Sequence, residues 1–472
     1  MKKRRFWKVL LVVIPVLAGG AAWSAHRYVQ KETTPAALVR RLEQSLNCRA
    51  EVESASVSLF SFPAKLEVKG LRLLPRDGEV SKTLKDRQPP KKVETVLAVP
   101  AFSADLSLPA LLSREIRVGQ LRLTGAEAYT IRRKNGENTL SAMFSKPPSD
   151  PKPEAKPKEE PAPPSSPKST AKPFAGALAV AKLENAKITI RNEKRKQLVE
   201  LKDVNLNVAN LRYLPPADAG AVAAAAVAPA SMPCEVKASL QLTSLDLKDQ
   251  RRQMDFTLDI ASTVTLLAGG RLADGTTLDI QVKSASWIDR IPTLEKLAKK
   301  MAKLKGQIGL DLTSFPVSGH MRKGTSIKAR IEGGRFLFLE DTHFNFDTCR
   351  IKIKAGSWFD PDDQQHEFQG LIAANEEITK NAVQGVDAFL NSKGENLAKI
   401  GRETLMQALL DKDGRLSIPF TSTEDIGRPE VTISKSFEKD ISNAVGNFAK
   451  GLLKDALDGG DGLQNLIDGF RK

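Results

Sequence analysis

The chain is 472 residues long with a net charge of +16, 41% hydrophobic and 6% aromatic residues, which is enough apolar content to build a core and too much for wholesale disorder. Basic residues are spread along the chain and are not interleaved with stacking aromatics, which argues against a nucleic-acid partner; attraction to anionic lipid headgroups accounts for the excess equally well. Cys48, Cys234 and Cys349 are far apart and odd in number, so they make neither a CxxC pair nor a disulfide framework. A single bridge stays open beside the plainer reading, three small buried hydrophobes.

Met1–Arg5 is basic, and Phe6–Ala25 is nearly all apolar, with Lys8 near its start and Pro15, Gly19 and Gly20 inside. About 20 residues at about 1.5 Å each match a hydrocarbon core about 30 Å thick. Trp7 and Trp23 stand near its two ends, where amphipathic rings favour the interface. The positive-inside rule places residues 1–5 in the cytoplasm and the bulk of the chain outside it. A cleaved leader is the competing reading. Trp23-Ser24-Ala25 puts a bulky ring where a small residue is wanted, and Val16-Leu17-Ala18 leaves a very short apolar core, so a retained anchor over residues 6–25 is expected. No later segment is long and apolar enough to span; Ala217–Ala230 is short, holds Asp218 and is bounded by prolines.

Thr34 and Pro35 start a short helix as cap and first residue, with Leu38, Leu42 and Leu46 on one face. The period then changes to two. Leu66 and Val68 point one way and Lys65, Glu67 and Lys69 the other; the phase slips at Gly70, as at a β-bulge, and Leu71 and Leu73 continue the apolar face. The alternation recurs at Ile116/Val118, Leu121/Leu123, Ile188/Ile190, Val204/Leu206/Val208, Val236–Leu242, Phe256/Leu258/Ile260, Leu278/Ile280/Val282, Ile308/Leu310/Leu312, Ile327/Ala329/Ile331, Ile351/Ile353 and Leu416/Ile418/Phe420. About fifteen strands with one apolar and one polar face are the signature of an antiparallel sheet.

Two low-complexity stretches interrupt the strands. Lys146–Pro173 is dense in Pro, Lys, Glu and Ser and reads as a disordered insert; Pro215–Pro233 is an Ala/Pro loop. Helical spacing is confined to Leu294–Leu304, to Glu376–Leu410 with a break near Gly394, and to Phe437–Leu457. In the first of these, Lys296, Lys299, Lys300 and Lys303 lie opposite an apolar stripe, which fits a membrane-surface helix or a lid packed on the sheet with its lysines in water.

Catalytic and nucleotide-binding motifs are missing. His26, His320, His343 and His366 are scattered, and there is no HExxH, GxSxG, P-loop or GxGxxG. Asp341, His343, Asp347 and Cys349 share one face of a strand, but residues two apart are about 6.6–7 Å apart, so a metal would need ligands from a neighbouring strand; a solvated face is the expectation, with Phe344 and Phe346 on the apolar side. Asp360-Pro-Asp362-Asp363 reads as a turn. No cofactor, metal or enzymatic activity is expected.

The order of these segments resembles the AsmA-like family of bacterial envelope proteins. The resemblance is carried by CRAEVESASVSLFSFPAKLEVKGLRLLP (Cys48–Pro75), LSLPALLSREIRVGQLRLTGAEAYTIRRKNGENTL (Leu106–Leu140), LAVAKLENAKITIRNEKRKQLVELKDVNLNVANL (Leu178–Leu211) and the closing hairpin GRLSIPFTSTEDIGRPEVTIS (Gly414–Ser434). It implies a mainly β (α+β) protein: a single N-terminal transmembrane helix, then an elongated, curved antiparallel β-groove with a few capping helices, related to chorein-type bridge-like lipid transfer proteins. The segments are then a cytoplasmic N-terminus (1–5), an anchor (6–25), an N-terminal helix and sheet region (33–145), the insert (146–173), continuation of the groove with a helix at 291–304 (174–375), and C-terminal helices with the closing hairpin 414–434 (376–472).

A sheet with one apolar face must cover it. Composition leaves a dry-cored sandwich and an acyl-chain groove both open; the resemblance favours the groove. Its expected lining is Leu66, Val68, Leu121, Leu123, Ile188, Ile190, Leu206, Val208, Leu240 and Leu242. The expected role is envelope biogenesis at the bacterial inner membrane, with phospholipids as partners moved toward the outer membrane and the bulk of the chain periplasmic. The alternative is a scaffold for outer-membrane or other envelope proteins.

Overall fold

The computed structural model describes residues 33–58, 61, 63–90, 95–107, 116–145, 147, 176–213, 233–264, 273–302, 317–361, 363–391, 402–403, 405–443 and 446. The anchor 6–25, the insert 146–173 apart from residue 147, the loop 215–232, the pattern Ile308/Leu310/Leu312 and Lys303 lie outside them. Among the described residues no helix is long and apolar enough to cross a membrane. The chain divides into two compact units, Met1–Gln241 with Thr263–Leu272, and Leu242–Ser262 with Ala273–Lys472.

The first unit opens with α1 (Pro35–Ser45), capped by Thr34, whose hydroxyl accepts from the Ala37 N–H at 3.3 Å. Its buried stripe centres on Val39 and Glu43, with Leu42 and Leu46 beside them, so the apolar face is turned from the expected Leu38 line. The turn is explained by Glu43, a buried carboxylate gripped by Arg87 at 2.6 and 2.8 Å while it also accepts from the Ala50 N–H at 3.0 Å. This pair, with Arg49 bound to Asp77 and to the Gln88 carbonyl, ties the segment 77–88 back to the helix and its following strand.

The strands of this unit are β1 (Cys48–Glu51), β2 (Ser54–Ser58), β3 (Ala64–Pro75), β4 (Leu97–Leu106), β5 (Ile116–Thr124), β6 (Glu127–Arg132), β7 (Gly176–Asn192) and β8 (Gln197–Tyr213). β1 and β2 pair along β3, then β3 with β4, β4 with β5 and β6, both of these with β7, and β7 with β8. The sheet is not wholly antiparallel as expected: β5 and β6 run parallel to β7. A parallel return needs a long crossover, and residues 133–175, including α2 (Thr139–Met143) and the Pro-rich stretch, supply it. β4 is a further addition to the expected strands. Pro100 sits inside it, a residue that normally argues against strand, and is exposed there.

The second unit holds β10 (Arg251–Val264), except its last two residues, and β11 (Thr277–Val282), β12 (Trp287–Asp289), β13 (Ser318–Lys323), β14 (Thr325–Glu332), β15 (Arg335–Phe338), β16 (Thr342–Phe346), β17 (Cys349–Ile353), β18 (Trp358–Phe359), β19 (Gln365–Ala374), β20 (Ser417–Asp425) and β21 (Glu430–Ile433). β9 (Cys234–Asp246) begins in the first unit and ends in the second. The antiparallel ladder runs β12–β13–β16–β17–β19–β20–β21, with β11–β14–β15–β18–β19 beside it.

Helices α3 (Pro292–Ala302) and α4 (Glu376–Asn391) cover this sheet with helical residues 405–409 and 435–443. Leu294, Leu297, Met301, Val386, Leu390, Leu405, Leu409, Phe437 and Ile441 pack on Ile351, Ile372, Ile418, Phe420 and Val431 in one core. Helices therefore close the apolar face of this unit. The helices are few, but they are gathered on one unit.

Removing one partner of the Glu43–Arg87 pair leaves the other charge buried alone, and Glu43→Ala also orphans the Ala50 N–H. The expected cost is about 3–5 kcal/mol, read as a lowered midpoint in urea unfolding of the full chain, with Arg87→Ala giving a comparable loss.

Candidate functional site

The first unit's sheet carries apolar residues in rows, because directly paired residues on neighbouring strands share a face. One row is Val57, Leu66, Ala104, Leu121, Ala181 and Val208; the next is Ala55, Val68, Phe102, Leu123, Leu183 and Leu206. The residues between them form the polar row Ser56, Glu67, Ser103, Arg122, Lys182 and Asn207, where Arg122 pairs with Glu184 at 2.9 Å. A third apolar row, Ala50, Leu73, Leu97, Ala128, Ile188 and Leu201, continues across the sheet, with Ile190 between Thr130 and Val199 beyond it.

Between the second and third rows every strand changes phase. Gly70, Gly125, Asn185 and Asp203 have φ of 62°, 66°, 53° and 49°, and Pro100 occupies the corresponding place on β4. Gly70, Pro100, Gly125 and Asn185 line up strand to strand and Asp203 follows one pair further on, beyond Ala186–Val204, so the phase slip visible at Gly70 is one station of a kink crossing the sheet. Each strand slips together, and the apolar residues stay on one face. A kink of this kind bends a sheet and increases its twist. At Gly70 a Cβ would also meet the Glu53 Cβ at 2.7 Å.

The rows differ in how they are covered. At the third row, Val39, Leu42 and Leu46 from α1 and Leu140 and Met143 from α2 close over Ala50, Leu73 and Leu97. At the kink itself, Val99, Ala126, Ala186 and Val204 are buried and packed against Leu71, Leu97, Phe102, Leu123, Leu183, Leu201 and Leu240, and among the described residues no helical side chain joins this cluster. Leu66, Leu121, Leu123, Leu206 and Val208 are half-buried; Val68 is buried.

The structure thus brings together Leu66, Val68, Leu121, Leu123, Leu206 and Val208 in two adjacent rows. It sets Ile188 and Ile190 on the far side of the kink and packs Leu240 on the same cluster as Leu123. Leu242 falls in the second unit. The sequence reading missed Phe102, Ala104 and Val57. For the first two, the signal was Leu97/Val99 followed by Phe102/Ala104 across Pro100, the same slip seen at Gly70.

On α3 the lysines 296, 299 and 300 are exposed, and the apolar stripe Leu294, Leu297 and Met301 is committed to the core. Lys296 Nζ donates to the Pro429 carbonyl, and the three lysines meet Glu424, Arg428 and Glu430 in a shallow pocket. Of the strand face once weighed as a metal site, Asp341 is taken by Lys352 and the Ala355 N–H, and Asp347 Oδ1 accepts from the His320 N–H at 2.9 Å. No group of three metal-ligating side chains exists among the described residues.

The three cysteines are free and buried. Burial pushes the Cys48 thiol up to about 11 and the Cys349 thiol up to about 12, and raises Cys234.

The AsmA family model matches residues 55–326, from β2 into β14. The chain belongs to the AsmA family. No curated protein and no solved structure matches it. In this AsmA protein the matched region contains the whole two-row apolar face, its kink and its polar reverse.

Because a thiolate is the reactive form, a maleimide at pH 8 should leave all three cysteines unlabelled in the folded chain and label all three in urea, read by mass spectrometry. At the kink, Gly70→Val should lower the unfolding midpoint, by about 1–3 kcal/mol from the left-handed backbone alone, and by more with the Glu53 clash.

Proposed function

We propose that this AsmA-family protein is a non-enzymatic envelope component whose first unit holds phospholipid acyl chains on its two-row apolar face and lets them slide along it. The observation that carries the reading is the continuous apolar face of the two rows, half-buried except at Val68 and Ala104, with no described helical side chain packed on it. Each row crosses six strands, or five spacings of about 4.8 Å, about 24 Å in all. That exceeds the depth of one leaflet, about half of a 30 Å hydrocarbon core, so a row is long enough for an acyl chain. At about 0.8 kcal/mol per buried CH₂, two tails gain ample free energy there. A headgroup would stay at the polar margin, and no reactive side chain is needed.

In this reading residues 6–25 anchor the chain in the bacterial inner membrane, with the basic N-terminus in the cytoplasm and both units in the periplasm, and lipid moves toward the outer membrane. The exposed lysines 296, 299 and 300 supply a surface for anionic headgroups through charge alone, since the helix has no apolar stripe left to insert.

A scaffold for envelope proteins is the second reading. It is favoured by the second unit, whose apolar sheet face is closed by helices.

Mass spectrometry of the detergent-extracted full chain separates the two. Near-stoichiometric phospholipid is expected. Leu206→Asp with Val208→Asp should abolish it in a chain that keeps its circular dichroism, while Asn207→Asp on the polar row leaves it unchanged. Lipid retained by the folded double variant, or a co-purifying outer-membrane protein with no lipid, overturns the acyl-chain reading.

A further inference from the structure

Beneath the first turn of α3 three polar side chains stand in a line against the apolar core of the second unit. His366 on β19 is 1% exposed and Ser422 on β20 is 0% exposed. His366 Nε2 lies 2.7 Å from Ser422 Oγ, and Ser422 Oγ lies 3.3 Å from Thr293 Oγ1 on α3. On its other side His366 Nδ1 is 2.7 Å from the Glu424 carbonyl. A carbonyl only accepts, so Nδ1 carries the proton, and Nε2 accepts from the Ser422 hydroxyl. Ser422 then accepts from Thr293, and the helix is joined to the sheet by a directed chain of hydrogen bonds that requires a neutral imidazole.

We propose that this chain is a proton-operated latch that holds α3 over the apolar face of the second unit, and that protonation of His366 frees the helix. The proposal stands apart from the acyl-chain reading of the first unit. With a second proton Nε2 becomes a donor, and the Ser422 hydrogen must leave it, either to stay unpaired in the core or to turn onto Thr293 Oγ1 and reverse that bond. The new cation also lies under a helix N-terminus, whose free N–H groups already carry positive charge.

The surrounding charges are mixed. Asp425, at the β20 end, is the carboxylate that favours a charged ring. Glu295 stands in the first turn of α3, and Glu424 and Glu430 share the surface pocket with Lys296, Lys299, Lys300 and Arg428. β18 brings Phe359 opposite His366, and the Phe368 ring lies 4.7 Å from the imidazole. Burial outweighs Asp425 and the Glu424 carbonyl and keeps the His366 pKa below the ordinary histidine value.

The sign follows from that direction. A freed helix leaves His366 near its ordinary value of about 6.5, so docking is fully supported above that pH and weakens as pH falls below it, until the docked ring itself takes the proton. α3 has eleven residues, and an isolated helix of that length is marginal in water. Release would therefore show as lost amide protection.

Hydrogen exchange of the full chain at pH 7.5 and 5.5, corrected for intrinsic rates, tests this. Protection of the α3 amides should fall by up to about tenfold per pH unit below about 6.5, while the α4 amides on the same core hold. In His366→Gln the α3 protection should lose its pH dependence. Binding of an apolar dye should rise in acid for the wild-type chain only. Joint loss of α3 and α4 protection, no change in either, or an unaltered pH response in His366→Gln overturns the proposal. Where His366→Gln does not fold, Ser422→Ala removes the middle link. It should lower α3 protection already at pH 7.5, and unchanged protection there overturns the latch.

Discussion

A sheet that alternates apolar and polar side chains along every strand has one face that water disfavours, and each unit must dispose of that face by some means. The two units do so differently. In the second, α3, α4 and the helical residues 405–409 and 435–443 lie on it and build a dry core around Ile372 and Ile418. In the first, α1 and α2 close over one row only, and the rows past the kink keep Leu121, Leu206 and Val208 half-buried. The functional reading rests on this contrast. Where helices supply hydrocarbon from within the chain, a dry core results; where they do not, acyl chains supply it in the proposed function.

Much of this was legible before the structure. Period-two alternation places Leu66, Val68, Leu121 and Leu123 on one face with no knowledge of their neighbours, and pairing through β4 then puts them in adjacent rows. The cap at Thr34 and the turn at Gly427–Pro429 are local chemistry and appear where expected. Strand direction is different in kind: alternation looks the same in either direction, so nothing in Ile188/Ile190 announced that β7 runs parallel to β5 and β6. β4 was hidden by Pro100. The Glu43–Arg87 pair was hidden by the sequence separation of 44 between its partners, since charge on a helix reads as solvated until the segment that buries it is known.

The kink joins local and global levels. Left-handed φ at Gly70, Gly125, Asn185 and Asp203 is a separate local event on each strand, and only the register shows that the first three fall on one line with Asp203 one pair beyond it. A single strand slipping alone would turn its apolar residues to water. Slipping together, the strands bend the sheet and keep one face dry. Asn185 and Asp203 are exposed and are of the residue types that tolerate that conformation best after glycine; the Asn185 N–H is also held from the neighbouring strand, donating to Asn205 Oδ1 at 3.0 Å.

The parallel pairing also sets a length requirement on a part of the chain that composition alone would mark as dispensable. β6 ends beside Asn192, and β7 begins beside Ile116, where Gly176 pairs. The backbone must therefore travel back along sixteen residues of strand, about 53 Å at about 3.3 Å each. A fully stretched tether for that distance needs roughly sixteen residues, and residues 133–175 exceed it comfortably. The proline-rich stretch can thus drift in composition and lose many residues by deletion, but below that minimum the strand would have to reverse, and every apolar row past β5 would be re-registered.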